Sequence, residues 1–257
     1  METMNQMIEK QLAHRTIREF KAEPLDQGVL DTLFEAGRRT ATSTGLQASS
    51  IIRITSPAVK QGLAEICRQE YVARVPELLV FIADQYRNRR IAMEQGESGR
   101  HAGDMDRFFQ GFTDACLMAQ NMTNAAEAMG LGAVYFGSIL NDPEATVKLL
   151  GLPPFTFPVV GMGIGIPNED PQIKPKMAME LRVFENSYET YDGKYLEMLT
   201  DYDGEMEAYY DLRATNRRSD SFTRQVAAKL SHSIPARAAI MNTIVAQGFD
   251  LKLKGVK

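Results

Sequence analysis

The stretch Phe157-Pro158-Val159-Val160-Gly161-Met162-Gly163-Ile164-Gly165-Ile166-Pro167 restricts the fold more than any other. It reads as an apolar strand, and alternation puts Gly161, Gly163 and Gly165 on one face. A strand face without side chains implies close approach of another backbone or of a flat ligand. It is not a dinucleotide-binding loop, because Pro167 and the acidic residues Glu169 and Asp170 follow where a helix should begin.

Three further strands are expected, at 51–55, 78–83 (fully buried) and 133–138. Helices alternate with them. Met4, Met7, Ile8 and Leu12 recur at helical spacing. Asp26 is a plausible N-cap for a helix burying Val29, Leu30, Leu33 and Phe34, and Val59, Leu63 and Ile66 mark another. From 112 to 129, Ala115, Cys116, Met118, Ala119, Met122, Ala125, Ala126 and Met129 form a wide apolar face, read as a central helix in preference to a subunit contact. Asp142-Pro143 opens a helix that Gly151 and Pro153-Pro154 close. Residues 86–107 are charged and weakly periodic, a place for mobile helices or a lid. Pro235 starts a last helix that Gly248 caps. Two regions result: a core over 1–183, with the helical excursion at about 86–110, and a polar helical extension over 184–257 that wraps a partner subunit.

At 257 residues the chain is long enough for a sizeable core, and its charge of −4 and pI near 5.5 argue against a nucleic-acid binder that relies on bulk positive charge. No apolar run approaches the ~20 residues that span a bilayer. Cys67 and Cys116 lie in apolar helical segments with no disulfide framework, so a cytoplasmic location is expected. His14, His101 and His232 are scattered without ligand partners, and no bound metal is expected.

Near the N-terminus, His14-Arg15-Thr16-Ile17-Arg18 gathers cations and a hydroxyl behind an amphipathic segment. Such a cluster is either a solvated helix end or a set of donors for one phosphate. The hydroxyl-rich run over 40–50 is either a plain loop or a polar wall for a ligand. Lys174-Pro175-Lys176 holds two cations in stiff extended geometry. Taken in order, these pieces resemble the nitroreductase superfamily, in its NADPH-dependent oxygen-insensitive nitroreductase and flavin reductase branch. The resemblance runs from about residue 7 to 248. It rests on His14 to Arg18, the loop from Ser43 to Gln47, Gln69, residues 130–137 and 158–167, Lys174-Pro175-Lys176, Glu185-Asn186-Ser187-Tyr188, and Tyr209-Tyr210-Asp211-Leu212-Arg213.

That resemblance implies an α+β fold with a central mixed, mostly antiparallel sheet flanked by helices, binding FMN in a homodimer. By position, His14, Thr16, Lys174 and Lys176 surround the FMN phosphate with Arg15 close by. Arg18 and Gln69 reach the pyrimidine edge of the flavin, and the Gly137 amide faces N5. Tyr135, Phe136 and Ser138 flank Gly137, while Thr42 and Ser43 line the site from the second subunit. Arg213 and Arg217 match positions that hold the NADPH phosphates. No side chain is required as a nucleophile or acid-base catalyst. The implied activity is ping-pong transfer of two electrons from NAD(P)H to nitroaromatics, quinones or free flavin. Alternatives are a dedicated flavin reductase and a flavin-binding sensor or carrier with little turnover. Lys176 stands where the family pattern has arginine, Ser138 where it has glycine, Gly45 where an aromatic often lies, Phe184 where it has histidine and Phe222 where it has tryptophan.

Overall fold

The structure, a computed structural model, describes residues 5–211 and 220–252. The chain divides into two compact units, Met1–Pro171 with Ile234–Lys257, and Gln172–Ser233.

In the first unit, Asn5 opens α1 (Gln6–Leu12) by accepting the Met7 amide at 2.9 Å. α2 (Gln27–Arg38) buries Leu30 and Leu33; Asp26 stands at its N-cap position, but its side chain makes no capping bond. β1 (Ser49–Ile54), α3 (Pro57–Cys67), β2 (Glu77–Asp84), α4 (Tyr86–Glu94) and α5 (Met105–Ala128) follow. β3 (Gly132–Phe136), α6 (Pro143–Leu149) and β4 (Thr156–Gly165) complete the sheet layer. Asp142 does cap α6, accepting the Ala145 amide at 2.9 Å, with Pro143 in the first turn.

The sheet order is β1-β2-β4-β3, and every neighbouring pair is antiparallel. Its expected mixed character comes down to one parallel bridge, Thr16 to Ala133, which lays the N-terminal segment on the outer edge of β3. β2 lies between two partners and is buried along its whole length, so it reads as a continuous apolar run. The carboxylate buried at its start, Glu77, is held by the Arg53 guanidinium at 2.7 and 2.8 Å. α5 places Ala115, Ala119, Met122 and Ala126 in the core, as its apolar face requires.

Three expectations change. The glycines of β4 admit neither a backbone nor a flat ligand; they make room for side chains. A Cβ on Gly163 would lie 2.9 Å from Val75 Cγ1 and 3.1 Å from Phe136, and one on Gly165 would meet Pro76 at 2.8 Å and Phe20 at 2.9 Å. The excursion after Tyr86 is tied down instead of loose. Arg87 bonds Ser50 and Asp84 side chains and the Gln47 carbonyl, Asn88 bonds the Leu46 carbonyl, and Arg89 stacks 5.0 Å from the Phe155 ring centre. The last stretch of the chain belongs to the first unit. Phe249 is buried against Phe108, ring centres 5.0 Å apart, and Gln247 bonds the Pro153 and Thr156 carbonyls. The division therefore falls at 171/172 and 233/234, not at the single boundary after 183 that polarity implied.

The second unit contains α7 (Tyr195–Met198), α8 (Thr200–Asp211) and α9 (Phe222–Leu230). The Asp203 carboxylate joins α8 to α9 by accepting the Thr223 amide at 2.9 Å and its hydroxyl at 2.5 Å. Beyond it, α10 (Pro235–Ala238) and α11 (Ile240–Ala246) return to the first unit; the single expected final helix is broken at Ala239. No helix among the described residues is long and apolar enough to cross a membrane.

Candidate functional site

β3 carries the candidate site, one half at each end. At its start the chain after α1 runs alongside it: the Ile17 amide donates to the Ala133 carbonyl at 3.1 Å, and Ile17 is buried. With Ile17 turned in, its neighbours stay at the surface by alternation, Thr16 half-buried and Arg18 exposed. His14, Arg15 and Ile17 line a cavity of about 340 Å³ together with Gly130, Leu131, Gly132 and Pro167. Buried Arg15 Nε has no partner among the described residues, and neither has the Arg18 guanidinium.

Three carboxylates share this end, which the sequence reading did not anticipate. His14 Nδ1 lies 2.5 Å from Glu127 at the end of α5, Arg15 pairs with Asp170, and Glu169 accepts the Arg18 amide. The His14 and Arg15 side chains are thus held in place, and Glu169 fixes the backbone at Arg18 while leaving its guanidinium unpaired among the described residues. The acidic loop after Pro167 carried that signal, because Phe20 bridges Pro167 and brings Glu169 and Asp170 back beside residues 15–18.

About 16 Å along the strand, at ~3.3 Å per residue, the other end has among the described residues a single guanidinium, that of Arg237, bonded to the Gly137 carbonyl. Gly137 is exposed, and a Cβ there would meet nothing within 4 Å. Ser138 Oγ donates to Gln69 Oε1 at 3.1 Å, and Cys67, at the end of α3, is buried. Burial pushes the Cys67 thiol up, so it stays protonated. Gln69 sits in the hinge after α3, where Arg68 takes a left-handed conformation (φ 54°), and the Arg74–Glu19 pair at 3.3 Å brings that segment beside Arg18. Tyr135 turns a half-open ring outward while its hydroxyl meets Thr123 at 2.6 Å; burial pushes that phenol up. Phe136 is a correction: its ring is buried against Tyr71 and the glycine face of β4, so only its backbone can serve a ligand. Arg237, which the sequence reading passed over, donates to the Gly137 carbonyl at 3.1 Å and to Asn141 Oδ1 at 3.2 Å.

Thr42 and Ser43 lie elsewhere on the same chain. The Ser43 and Ala48 amides donate to the buried Asp114 carboxylate at 2.8 and 3.0 Å, and Thr42 lines a second cavity of about 510 Å³. Asp114 and Glu127 stand about 20 Å apart along α5 at ~1.5 Å per residue, so these hydroxyls do not join His14 within one chain. Lys174 and Lys176 fall in the second unit, and Arg213 and Arg217 lie outside the described residues.

Guanidiniums, an imidazole and a hydroxyl at one end of an edge strand, with an open glycine and an oriented carboxamide at the other, suit a ligand with a phosphate at one end and a planar polar ring at the other. The chain belongs to the nitroreductase family. The family model "Nitroreductase family" matches residues 12–166 and "Nitroreductase family, C-terminal domain" matches 174–252. It is 39% identical over 223 residues to an "NADPH-dependent oxidoreductase" of Staphylococcus saprophyticus, covering 83% of this chain and 86% of that one. It is 36% identical over 224 residues to an "Oxygen-insensitive NADPH nitroreductase" of Salmonella typhimurium, covering 87% and 90%. The solved NADPH:FMN oxidoreductase from Vibrio harveyi complexed with NAD+ superposes with a TM-score of 0.81 at 34% identity, covering 93% of this chain and 98% of that one. Family membership makes this an oxidoreductase, and the family is FMN-dependent.

Proposed function

We propose that this chain is an FMN-dependent NAD(P)H oxidoreductase that reduces nitroaromatics, quinones or free flavin by alternating two-electron half-reactions at one site. The observation that supports it best is the pairing of the two ends of β3, with the unpartnered Arg15 Nε at one and the open Gly137 beside Gln69 and Ser138 at the other. In this reading His14, Arg15 and Thr16 take the FMN phosphate. Lys174 and Lys176 add the positive charge that Glu127, Glu169 and Asp170 offset. Arg18 and Gln69 address the pyrimidine edge, where a fixed cation favours the negative charge of reduction.

Bound FMN supplies the two-electron chemistry of such a site; the chain binds, orients and exposes one face for both substrates in turn. Gly137 leaves that face clear. Thr42 and Ser43, which lie too far along α5 to join the cluster within one chain, complete it from a second copy in a homodimer, and the second unit wraps that copy. Arg213 and Arg217 hold the phosphates of NADPH.

Purified protein should be yellow and release one FMN per subunit on denaturation. It should oxidise NADPH steadily with a quinone or nitroaromatic present, with parallel double-reciprocal lines. Release of FAD, or no flavin after reconstitution, would overturn the site; intersecting lines would overturn the alternation.

A further inference from the structure

The geometry points to Ser138 as a positioning residue: its hydroxyl holds the Gln69 carboxamide oxygen inward, so that the amide nitrogen faces the ligand at the Gly137 end of β3. This rests on the reading of that end as the flavin ring site and goes beyond it, because it fixes which atom of Gln69 meets the ring.

The bonds give the relay a direction. Gln69 Oε1 can only accept, and it receives Ser138 Oγ at 3.1 Å and, more weakly, the Tyr71 hydroxyl at 3.4 Å. A serine hydroxyl has one hydrogen. Given to Gln69, it is no longer available to any other acceptor, so the Ser138–Gln69 bond fixes the hydroxyl as well as the carboxamide. Both hydroxyls therefore point at Gln69 Oε1, and the two amide hydrogens of Gln69 are left for a ligand. Flipping the carboxamide would set its NH2 group against the Ser138 and Tyr71 hydroxyls and forfeit both of their bonds to the amide oxygen.

The orientation matters chemically. An amide nitrogen presented outward donates to a ring carbonyl, and negative charge grows on the pyrimidine carbonyls when a flavin is reduced. A donor there binds the reduced ring more tightly than the oxidised one, so it raises the potential. The opposite orientation would present an acceptor and favour the oxidised ring.

The test compares Ser138→Ala, Ser138→Gly and Ser138→Thr with the parent protein in two measurements that do not depend on turnover. These are FMN affinity, from quenching of flavin fluorescence on titrating apo-protein, and the midpoint potential of the bound flavin. For the Ala and Gly variants we expect FMN to remain bound, but with the reduced form weakened roughly tenfold more than the oxidised one. That is a potential lower by about 30 mV for a two-electron couple. Ser138→Thr, which keeps the hydroxyl, should restore it. Cys67→Ala should leave it close to the parent, because Ser138 still donates to Gln69. An unchanged potential in folded, flavin-loaded Ala and Gly variants would overturn the positioning role while leaving the flavin site standing. Failure of Ser138→Thr to restore it would do the same. If the parent protein bound no FMN, the reading of the whole site would fall, and this proposal with it.

Discussion

Two glycines bracket the site, and they are there for opposite reasons. Gly132, at the start of β3, is buried under the N-terminal segment: a Cβ would lie 2.7 Å from both Ile17 Cβ and Cγ1. Gly137, just past the end of the strand, looks into open space. One glycine lets the chain close on itself, carrying the His14 to Arg18 segment against β3; the other keeps a surface free. The first is a packing requirement and the second, on the proposed function, a binding one, so mutation should separate stability from binding along a single strand.

The largest effect belongs to Gly132. Gly132→Ala forces Ile17 away from β3, and overpacking of this kind costs about 1–3 kcal/mol. Thermal unfolding should show a Tm lower by several degrees, and FMN content should fall with it because His14, Arg15 and Thr16 ride on the displaced segment. An unchanged Tm would show that the segment yields freely, and the contrast would collapse.

Gly137→Val is the complementary experiment. With nothing within 4 Å of the new Cβ, Tm should stay within a degree or so of the parent. FMN affinity should drop roughly tenfold or more, about 1.4 kcal/mol per tenfold, because the side chain occupies the face offered to the ring. Lost stability with unchanged binding would reverse the assignment of the two glycines.

The two ends also differ in their electrostatics, and salt should tell them apart. Arg15→Ala removes a charge-assisted donor worth about 1.5–3 kcal/mol when fully formed, discounted here because the side chain is one-third exposed. FMN affinity should weaken about tenfold, and its salt dependence should become shallower. Asp170→Asn should act in the opposite sense, tightening FMN by up to about threefold at low salt, since an exposed pair contributes little. Equal salt dependence in Arg15→Ala and Gly137→Val would mean that the phosphate end is not where FMN meets its charges.

Much of this was legible in the sequence because the signals were local. Continuous apolar runs gave the buried strands, a wide apolar stripe gave α5, and Asp142-Pro143 marked a real cap. The errors were non-local. The glycines of β4 pointed correctly to close approach, but alternation cannot say that the approaching groups are side chains, Phe136 from the neighbouring strand at Gly161 and Gly163 and Pro76 with Phe20 at Gly165. The resemblance over residues 130–137 took in Phe136 without saying which way its ring points, and a strand turns adjacent side chains to opposite faces. The polar tail looked like a separate extension up to residue 257, yet Phe249 and Gln247 bury themselves in the first unit. In the site, the cationic cluster was read as free donors; the carboxylates that hold it come from residues 127, 169 and 170, and only tertiary structure brings those acids to residues 14–18.

The smallest expected effect tests a residue that sequence reasoning passed over for the same cause. Arg237 lies on α10, a hundred residues beyond Gly137, with no local pattern to single it out. Its guanidinium donates to the Gly137 carbonyl and to Asn141, which in turn donates to the Ile66 and Cys67 carbonyls at 3.3 Å. The returning C-terminal segment thereby clamps the open glycine to the end of α3, next to Gln69. Because Gly137 has no side chain to fix its own backbone, the clamp limits the conformations of the 137–138 peptide. Arg237→Ala removes two hydrogen bonds at an exposed position, so Tm should barely move. The backbone at the open glycine would gain freedom, and on the proposed function we expect FMN affinity to fall two- to fivefold, below about 1 kcal/mol. Arg237→Lys should recover part of it, since one of the two bonds can still form. A loss as large as that of Gly137→Val would mean that Arg237 meets the ligand directly. No loss at all would mean that the glycine is held by the strand alone.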